Sequence, residues 1–133
     1  MAKQVIVMRS DLKNKDGHRL PKGKLIAQGA HASTGALLKL METNPTGKFL
    51  PIESHSPLDE WINGIFKKIC LKVSSEEELL SVYEQALQEE LNAVLIQDQG
   101  HTEFDRPTYT CIGIGPDNEE KLDQVTGHLP LFS

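Results

Sequence analysis

The sequence predicts an α/β protein in which a four-stranded mixed β-sheet carries helices on both faces. Two observations support this class: short apolar runs alternate with segments of helical composition, and the elements follow the order β-α-α-β-α-β-β-α. A βαβ crossover makes its strands parallel, whereas the third and fourth strands are close enough in sequence to pair as a hairpin. A chain of 133 residues buries a core without metals or disulfides, so we expect one domain over residues 1–133.

The first half of the chain is predicted to contain one strand, one loop and one long helix. The β-branched apolar run Gln4–Met8 is typical of a buried strand. Ser10–Gly23 contains Asn, Asp, Pro and Gly and indicates a long loop, and such loops are often functional. Lys24–Met41 has no Pro and is dominated by Leu, Ala, Met and Lys, which predicts a helix. Thr43–Pro57 has three Pro and few apolar residues, so we expect a surface connection.

The second half is predicted to contain three strands and three helices. Leu58–Asn63 indicates a short helix that ends at Gly64, with Trp61 as its apolar anchor. Ser75 precedes three Glu and predicts a helix start, because a hydroxyl caps the first turn and acids there suit the macrodipole. This helix should run to about Glu90. Its apolar stripe is Leu79, Val82, Tyr83 and Ala86. The other predicted elements are strands at Lys67–Val73, Ala93–Gln97 and Tyr109–Ile114 and a last helix at Glu119–Thr126.

The charge distribution points to an anionic partner. The net charge of −5 argues by itself against a nucleic-acid ligand. Between Arg9 and Lys24, however, six Lys or Arg stand against two Asp, so this segment is +4 and the rest of the chain is −9. Arg19 and Lys22 are therefore candidate contacts to an anion. The alternative is a solvated loop whose charges only keep the protein soluble.

Cysteine usage and hydropathy predict a cytoplasmic protein. Cys70 and Cys111 each lie inside an apolar run without metal-ligand or C-x-x-C spacing, so we expect both to be buried strand residues in a reducing compartment. No stretch approaches the roughly 18 apolar residues that span a bilayer, and no signal-peptide core is present. The five His residues show no H-x-x-x-H or His/Cys clustering, which argues against a metal site.

A narrow polar strip on the first predicted helix is the first candidate for a site. Lys24, Gln28, His31 and Gly35 fall within about 60° of the helical wheel, and most other residues of this helix are apolar or small. The pattern favours a helix that is packed on most sides and presents a few groups into a cleft. The alternative is a solvated first turn together with a hydrogen-bonded core histidine.

The run Asp98–Ile112 is the second candidate, because it is dense in groups that take part in proton chemistry. Asp98 ends an apolar strand, and open α/β sheets form their binding crevices at the carboxyl ends of strands. The chain leaves the first strand at this same edge and continues into the helix that starts at Lys24, so Lys24 and Asp98 can meet there. In such a pair the lysine can stabilise an oxyanion and the carboxylate can act as a base that orients water. The alternative is a purely structural salt bridge, which the sequence does not distinguish from a catalytic pair. Thr102, Thr108 and Thr110 either orient water or substrate or are structural.

Four segments in register carry a resemblance to a known family. They are Gly23–Ala32, Leu95–Gly100 with Thr102, Thr110–Pro116 and Thr126–Leu131. The opening strand with Arg9–Leu12, and the stretch from Trp61 to Lys68, fit the same pattern. Together they cover nearly the whole chain and resemble the type II peptidyl-tRNA hydrolases.

This resemblance implies hydrolysis of the ester between a peptide and the terminal ribose of tRNA, without metal or organic cofactor, by a homodimer. The family's essential positions fall on Lys24, Gln28, His31, Asp98, Thr102 and Thr110. We expect Asp98 to orient or deprotonate water, Lys24 to stabilise the oxyanion, and Thr102 or Thr110 to position ester or water. Gln28 and His31 are expected to shape the site.

The chain departs from the family pattern at three places. His101 stands where the family often has Arg, which makes a phosphate contact there weaker or dependent on pH. Asp105-Arg-Pro107 replaces a Pro-Pro-Gly turn, which moves the positive charge to Arg106. The loop before Lys24 is longer than usual, and we expect Arg19 and Lys22 on it to contact the tRNA backbone.

Two other classes of function are open to this sequence. A non-catalytic interaction module would keep the fold but lose Lys24 or Asp98, and both are present. A nucleotide-binding protein is suggested by Gly113–Pro116, but neither G-x-x-x-x-G-K-[ST] nor G-x-G-x-x-G occurs. A Ser-His-Asp hydrolase would use a G-x-S-x-G elbow, which is also absent.

Overall fold

The computed structural model describes residues 1–133 and contains six strands and four helices. In chain order they are β1 (Ala2–Arg9), α1 (Lys22–Leu38), β2 (Glu42–Asn44), β3 (Gly47–Phe49), α2 (Pro57–Asn63), β4 (Lys68–Val73), α3 (Glu76–Gln88), β5 (Ala93–Asp98), β6 (Thr108–Asn118) and α4 (Glu119–Thr126). None of the helices is long and apolar enough to cross a membrane.

The main sheet is mixed and has the strand order β4-β1-β6-β5, which confirms the predicted fold class. β1 pairs parallel to β4 and antiparallel to β6, and β6 pairs antiparallel to β5. β1 and β5 therefore run in the same direction, and their carboxyl ends meet at one rim of the sheet. The candidate site lies at this rim.

The two faces of the sheet carry separate hydrophobic cores. α3 and α4 cover one face, and α1 covers the other. The larger core joins Val5, Val7, Ile112 and Ile114 of the sheet to Leu79, Val82 and Ala86 of α3 and Leu122 and Val125 of α4. The smaller core joins Ile6, Met8, Ile96 and Cys111 to Ala32 of α1. At Gly113 the backbone of α1 comes so close to β6 that any Cβ would collide with the Ala32 carbonyl.

Local signals in the sequence place the helix ends well. The Ser75 hydroxyl accepts a hydrogen bond from the Glu78 backbone N–H at 3.1 Å, so Ser75 caps α3 as predicted. Trp61 is buried and anchors α2, as predicted. α1 begins at Lys22, two residues before the predicted start, and ends at Leu38, three residues before the predicted end.

Three features differ from the predictions. The segment predicted as a plain surface connection contains the exposed hairpin of β2 and β3. Cys70 is only half-buried, unlike the buried Cys111, because it lies on the edge strand β4 while α1 packs on β6, β5 and β1. The prediction that α1 is packed on most sides is wrong: Ile26 is 73% exposed and Leu38 is 59% exposed, because only one side of this helix faces the sheet.

Candidate active site

Lys24 and Asp98 form an ion pair at the rim where β1 and β5 end. Lys24 lies in the first turn of α1 and Asp98 is the last residue of β5. The Lys24 Nζ donates to Asp98 Oδ2 at 2.6 Å and approaches the Thr102 hydroxyl at 3.4 Å. Both side chains are largely buried, with 20% and 17% of their surface exposed. The predicted meeting of these two residues is present in the structure.

The environment of Asp98 holds its carboxylate in the ionised form. Burial acts to raise the pKa of Asp98, but opposing interactions outweigh it and the pKa is lowered from its ordinary value. These are the hydrogen bond from Lys24, a hydrogen bond of 2.8 Å from the Gly100 backbone N–H to Oδ1, and the positive charges of Lys24 and His101. Asp98 is thus an ionised acceptor at neutral pH.

Gln28 presents an unused donor next to this ion pair. Its side chain is only 6% exposed, and the Nε2 is buried without a hydrogen-bond partner. A buried amide with no protein acceptor is a donor available to water or to a ligand in the neighbouring space. Gln28 lines a small cavity of about 210 Å³. The other lining residues include Lys24, His31, Asp98 and Thr110.

A β-bulge brings Thr110 into the same cavity. Ile96 and Gln97 are adjacent on β5, yet their partners on β6 are Cys111 and Tyr109. Thr110 is therefore an extra residue on β6, and such bulges re-aim a side chain. Its hydroxyl is fully buried and has only the Cys111 sulfur as a hydrogen-bond partner, at 3.5 Å.

Cys111 beside this cavity is not suited to act as a nucleophile. Its thiol donates to the Gln28 backbone carbonyl at 3.5 Å. Burial raises the pKa of Cys111 to about 11, so the thiol stays protonated at neutral pH. The polar groups available for chemistry in this cavity are therefore those of Lys24, Asp98, Gln28 and the threonine hydroxyls.

The other predicted site residues lie around this cavity or outside it. His31 is exposed at its mouth, and His101 and Thr102 are exposed on the segment that follows Asp98. Thr108 lies elsewhere: its hydroxyl donates to the Arg106 carbonyl, and it lines a separate cleft of about 570 Å³ between the 11–15 segment and the start of α3.

Arg19 precedes α1, and Lys22 is the first residue of that helix. Both are exposed, and neither has a carboxylate within 4 Å. Free cations of this kind are available to phosphate groups. No group of three or more His, Cys, Asp or Glu side chains is arranged to hold a metal ion.

Sequence reasoning missed Phe104. Its ring is buried, and the Lys24 Nζ lies 5.9 Å from the ring centroid. At this distance the face of the ring attracts the ammonium. Phe104 is the only large apolar residue between Asp98 and Thr108, and that isolation was the signal that could have identified it.

Comparison with known proteins identifies the family of this chain. Residues 2–132 match the sequence profile of the family described as "Peptidyl-tRNA hydrolase PTH2". A protein of Methanopyrus kandleri named peptidyl-tRNA hydrolase is 46% identical over 132 residues, which cover 99% of each chain. Proteins of the same name from Methanocaldococcus jannaschii and Methanothermobacter thermautotrophicus are 40% and 37% identical over 130 residues, covering 98% of this chain and 99% of theirs.

Proposed function

The chain belongs to the PTH2 family of peptidyl-tRNA hydrolases, and from this membership we propose that the cavity beside Lys24 and Asp98 is where it hydrolyses peptidyl-tRNA. The bond cleaved is the ester between the peptide and the terminal ribose of tRNA. Residues 1–133 act as one hydrolase domain. The single observation that supports this site most is the ionised Asp98 held by Lys24 beside an unpaired Gln28 amide.

In the proposed mechanism Asp98 activates the attacking water. The water lies against the Asp98 carboxylate, which accepts its hydrogen bond and takes up a proton as the water oxygen adds to the ester carbonyl. When the tetrahedral intermediate collapses, this proton passes to the departing ribose oxygen. The products are a peptide with a free carboxylate and a tRNA with a free terminal hydroxyl.

Lys24 and Gln28 share the stabilisation of the developing oxyanion. Two of the three Lys24 N–H groups point to Asp98 and Thr102, which leaves one for the substrate. The Gln28 Nε2, which has no hydrogen-bond partner within the protein, supplies a second donor. Thr102 and Thr110 position the ester or the water, and His31 shapes the mouth of the cavity.

Contacts to the tRNA are proposed for the exposed cations around the rim. Arg19 and Lys22 lack carboxylate partners and are available to phosphates of the acceptor end. His101 lies three residues after Asp98, is exposed, and contributes a further contact to a phosphate. Thr108 contributes to substrate binding from the neighbouring cleft.

A homodimer is supported by the outer face of α1, formed by Ile26, Ala30, Thr34, Leu37 and Leu38. The only charged residues of α1 are Lys22 and Lys24 in its first turn, so this face is uncharged and mostly exposed. In a two-fold symmetric dimer the same surface patch of both protomers forms the interface. An uncharged apolar patch suits this arrangement, because it causes no electrostatic repulsion between the two copies. We propose that two copies pack through this face.

The test of the function is release of labelled N-acetyl-aminoacyl groups from tRNA with a chelator present throughout. We expect turnover by the wild type and a loss of about 100-fold or more in Lys24→Ala and in Asp98→Asn, both checked for folding. Turnover in the presence of chelator would also support catalysis without a metal. The proposed cytoplasmic location is tested separately, by detecting the protein in the cytoplasmic fraction of lysed cells. No turnover by folded wild type would mean that the fold serves binding alone.

A further inference from the structure

The residues 99–107, here called the site loop, carry Thr102 and belong to no strand or helix. Among them, only Glu103 takes part in a hydrogen bond between backbone groups, and its carbonyl accepts from the Lys15 N–H at 2.7 Å. Side chains supply the other fixed points: the Gly100 N–H donates to Asp98 Oδ1, the Arg106 carbonyl accepts from the Thr108 hydroxyl, and the Phe104 ring is buried. Glu103 is the residue after Thr102, so the position of Thr102 depends on a segment nearly ninety residues earlier in the chain.

That segment, residues 13–19, is an ordered hairpin, here called the basic hairpin. Lys13 pairs with Arg19 as an antiparallel bridge, and the Gly17 N–H donates to the Asn14 carbonyl at 2.9 Å. The Asn14 Oδ1 accepts from two backbone N–H groups of the turn, those of Asp16 and His18. The turn is thus closed by its own hydrogen bonds and offers a firm support.

A side-chain contact reinforces the backbone bond between the two segments. The Asn14 Nδ2 donates to the Glu103 carboxylate at 3.4 Å. Glu103 is thus held at its carbonyl and its side chain by adjacent residues of the basic hairpin. Asn14, Lys15 and Glu103 are not among the residues that line the cavity next to Lys24 and Asp98.

We propose that Glu103 is a positioning residue through which the basic hairpin holds Thr102 in register with Lys24. This inference rests on the proposed function of the cavity and extends it. The basic hairpin then serves the chemical step as well as tRNA binding. Because displacement of a positioned group by 1 Å can cost about 100-fold in rate, loosening this support should lower kcat even for a substrate too short to touch the hairpin.

The experiment compares Lys15→Pro with Lys15→Ala on two substrates. Both variants remove the lysine charge, but only proline removes the backbone N–H that donates a hydrogen bond to the Glu103 carbonyl. Lys15 is the second residue of the turn Asn14–Gly17, and neither Lys15 nor Asp16 has a positive φ. Proline is favoured at the second residue of such turns, so Lys15→Pro is compatible with the hairpin. The substrates are N-acetyl-aminoacyl-tRNA and the N-acetyl-aminoacyl ester of the trinucleotide CCA.

We expect kcat of Lys15→Pro on the short ester to fall at least about 10-fold relative to Lys15→Ala, with KM little changed. Equal kcat values for the two variants would overturn the proposal and leave the hairpin a role in tRNA affinity alone. Failure of the proposed function is distinguishable, because folded wild type would then hydrolyse neither substrate.

A second pair of variants keeps the test open if Lys15→Pro fails to fold. Asn14→Asp retains the acceptor that closes the turn but places a carboxylate against Glu103, so kcat on the short ester should fall. Adding Glu103→Gln restores a donor and acceptor pair and should recover most of kcat. A double variant as slow as Asn14→Asp would overturn the proposal.

Discussion

Gln4 on β1 and Ser33 on α1 are joined by two reciprocal hydrogen bonds. The Ser33 hydroxyl donates to Gln4 Oε1, and the Gln4 Nε2 donates to the Ser33 carbonyl at 3.0 Å. The Gln4 side chain is fully buried in the contact between helix and sheet. This pair fixes the position of α1 along β1, and therefore the height at which Lys24 meets Asp98.

Ser33→Ala should lower the free energy of unfolding by about 1–3 kcal/mol, because it leaves the buried Gln4 oxygen without a donor. Ser81→Ala on α3 is the matched control, since Ser81 is exposed and should change stability by less than about 0.5 kcal/mol. Urea unfolding measures both. Equal effects of the two variants would contradict the assigned role of the pair.

Gln28→Met should lower kcat by about 100-fold or more while leaving stability unchanged or raised. The variant removes a donor proposed for the oxyanion, and it also removes a buried amide that has no partner in the free protein. Hydrolysis kinetics and thermal unfolding provide the two readouts. Gln88→Met on α3 is the control and should alter neither. A Gln28→Met protein that is both active and destabilised would show that the amide is structural.

Lys24→Met should raise the pKa of Asp98, because burial persists while the main stabilising hydrogen bond and charge are lost. In the wild type the folded pKa lies below the ordinary value of about 3.9. Ionised Asp98 therefore stabilises the fold above that value, and the contribution disappears as the pH falls through the folded pKa.

Carboxyl carbon NMR of Asp98 across the acid range measures this pKa directly. Lys22→Met is the matched control, because it removes a charge from the same helical turn without touching Asp98. An Asp98 titration that is the same in Lys24→Met and wild type would refute the assigned cause of the shift.

Gly100→Ala should destabilise the protein more than Gly17→Ala. Both glycines have a positive φ, +84° and +82°, which costs an alanine about 1–2 kcal/mol. At Gly17 nothing lies within 4 Å of the added carbon, whereas at Gly100 the carbon would lie 2.6 Å from the Arg106 backbone. The difference in unfolding free energy between the variants isolates the clash. If the two losses were equal, the site loop would be free to move aside.

Ile26→Glu should convert the proposed dimer to a monomer, because it places a buried charge on each side of the two-fold axis. Ile65→Glu is the matched control: both isoleucines are 73% exposed, but Ile65 lies outside α1. Sedimentation equilibrium reports the mass. A wild type that is monomeric at high concentration, or an equal effect of the two variants, would exclude the proposed face.

The sequence allowed the sheet, the long helices and the meeting of Lys24 with Asp98 to be predicted, because these depend on local composition and on strand direction. The bulge at Thr110 could not be predicted, since the extra residue is defined only by the register of β6 against β5. The hairpin of β2 and β3 is exposed throughout and lacks the apolar alternation that marks a strand.

The bond between Lys15 and Glu103 was equally invisible in the sequence. It joins backbone groups of two polar loops far apart in the chain, and any residue except proline could donate at position 15. Burial of the Gln28 amide was hidden for a related reason. A polar residue on a helix is normally solvated, and only the packing of α1 on the sheet shows that this one is enclosed.

The central place of β6 in the sheet affects how the protein is made. β1 and β5 do not pair with each other, and β6 is the strand that joins them. During synthesis, β1, α1 and β5 all leave the ribosome before residues 108–118 do, so the rim that brings Lys24 to Asp98 cannot close until β6 has emerged. Until then the growing chain lacks the assembled cavity that we propose for hydrolysis.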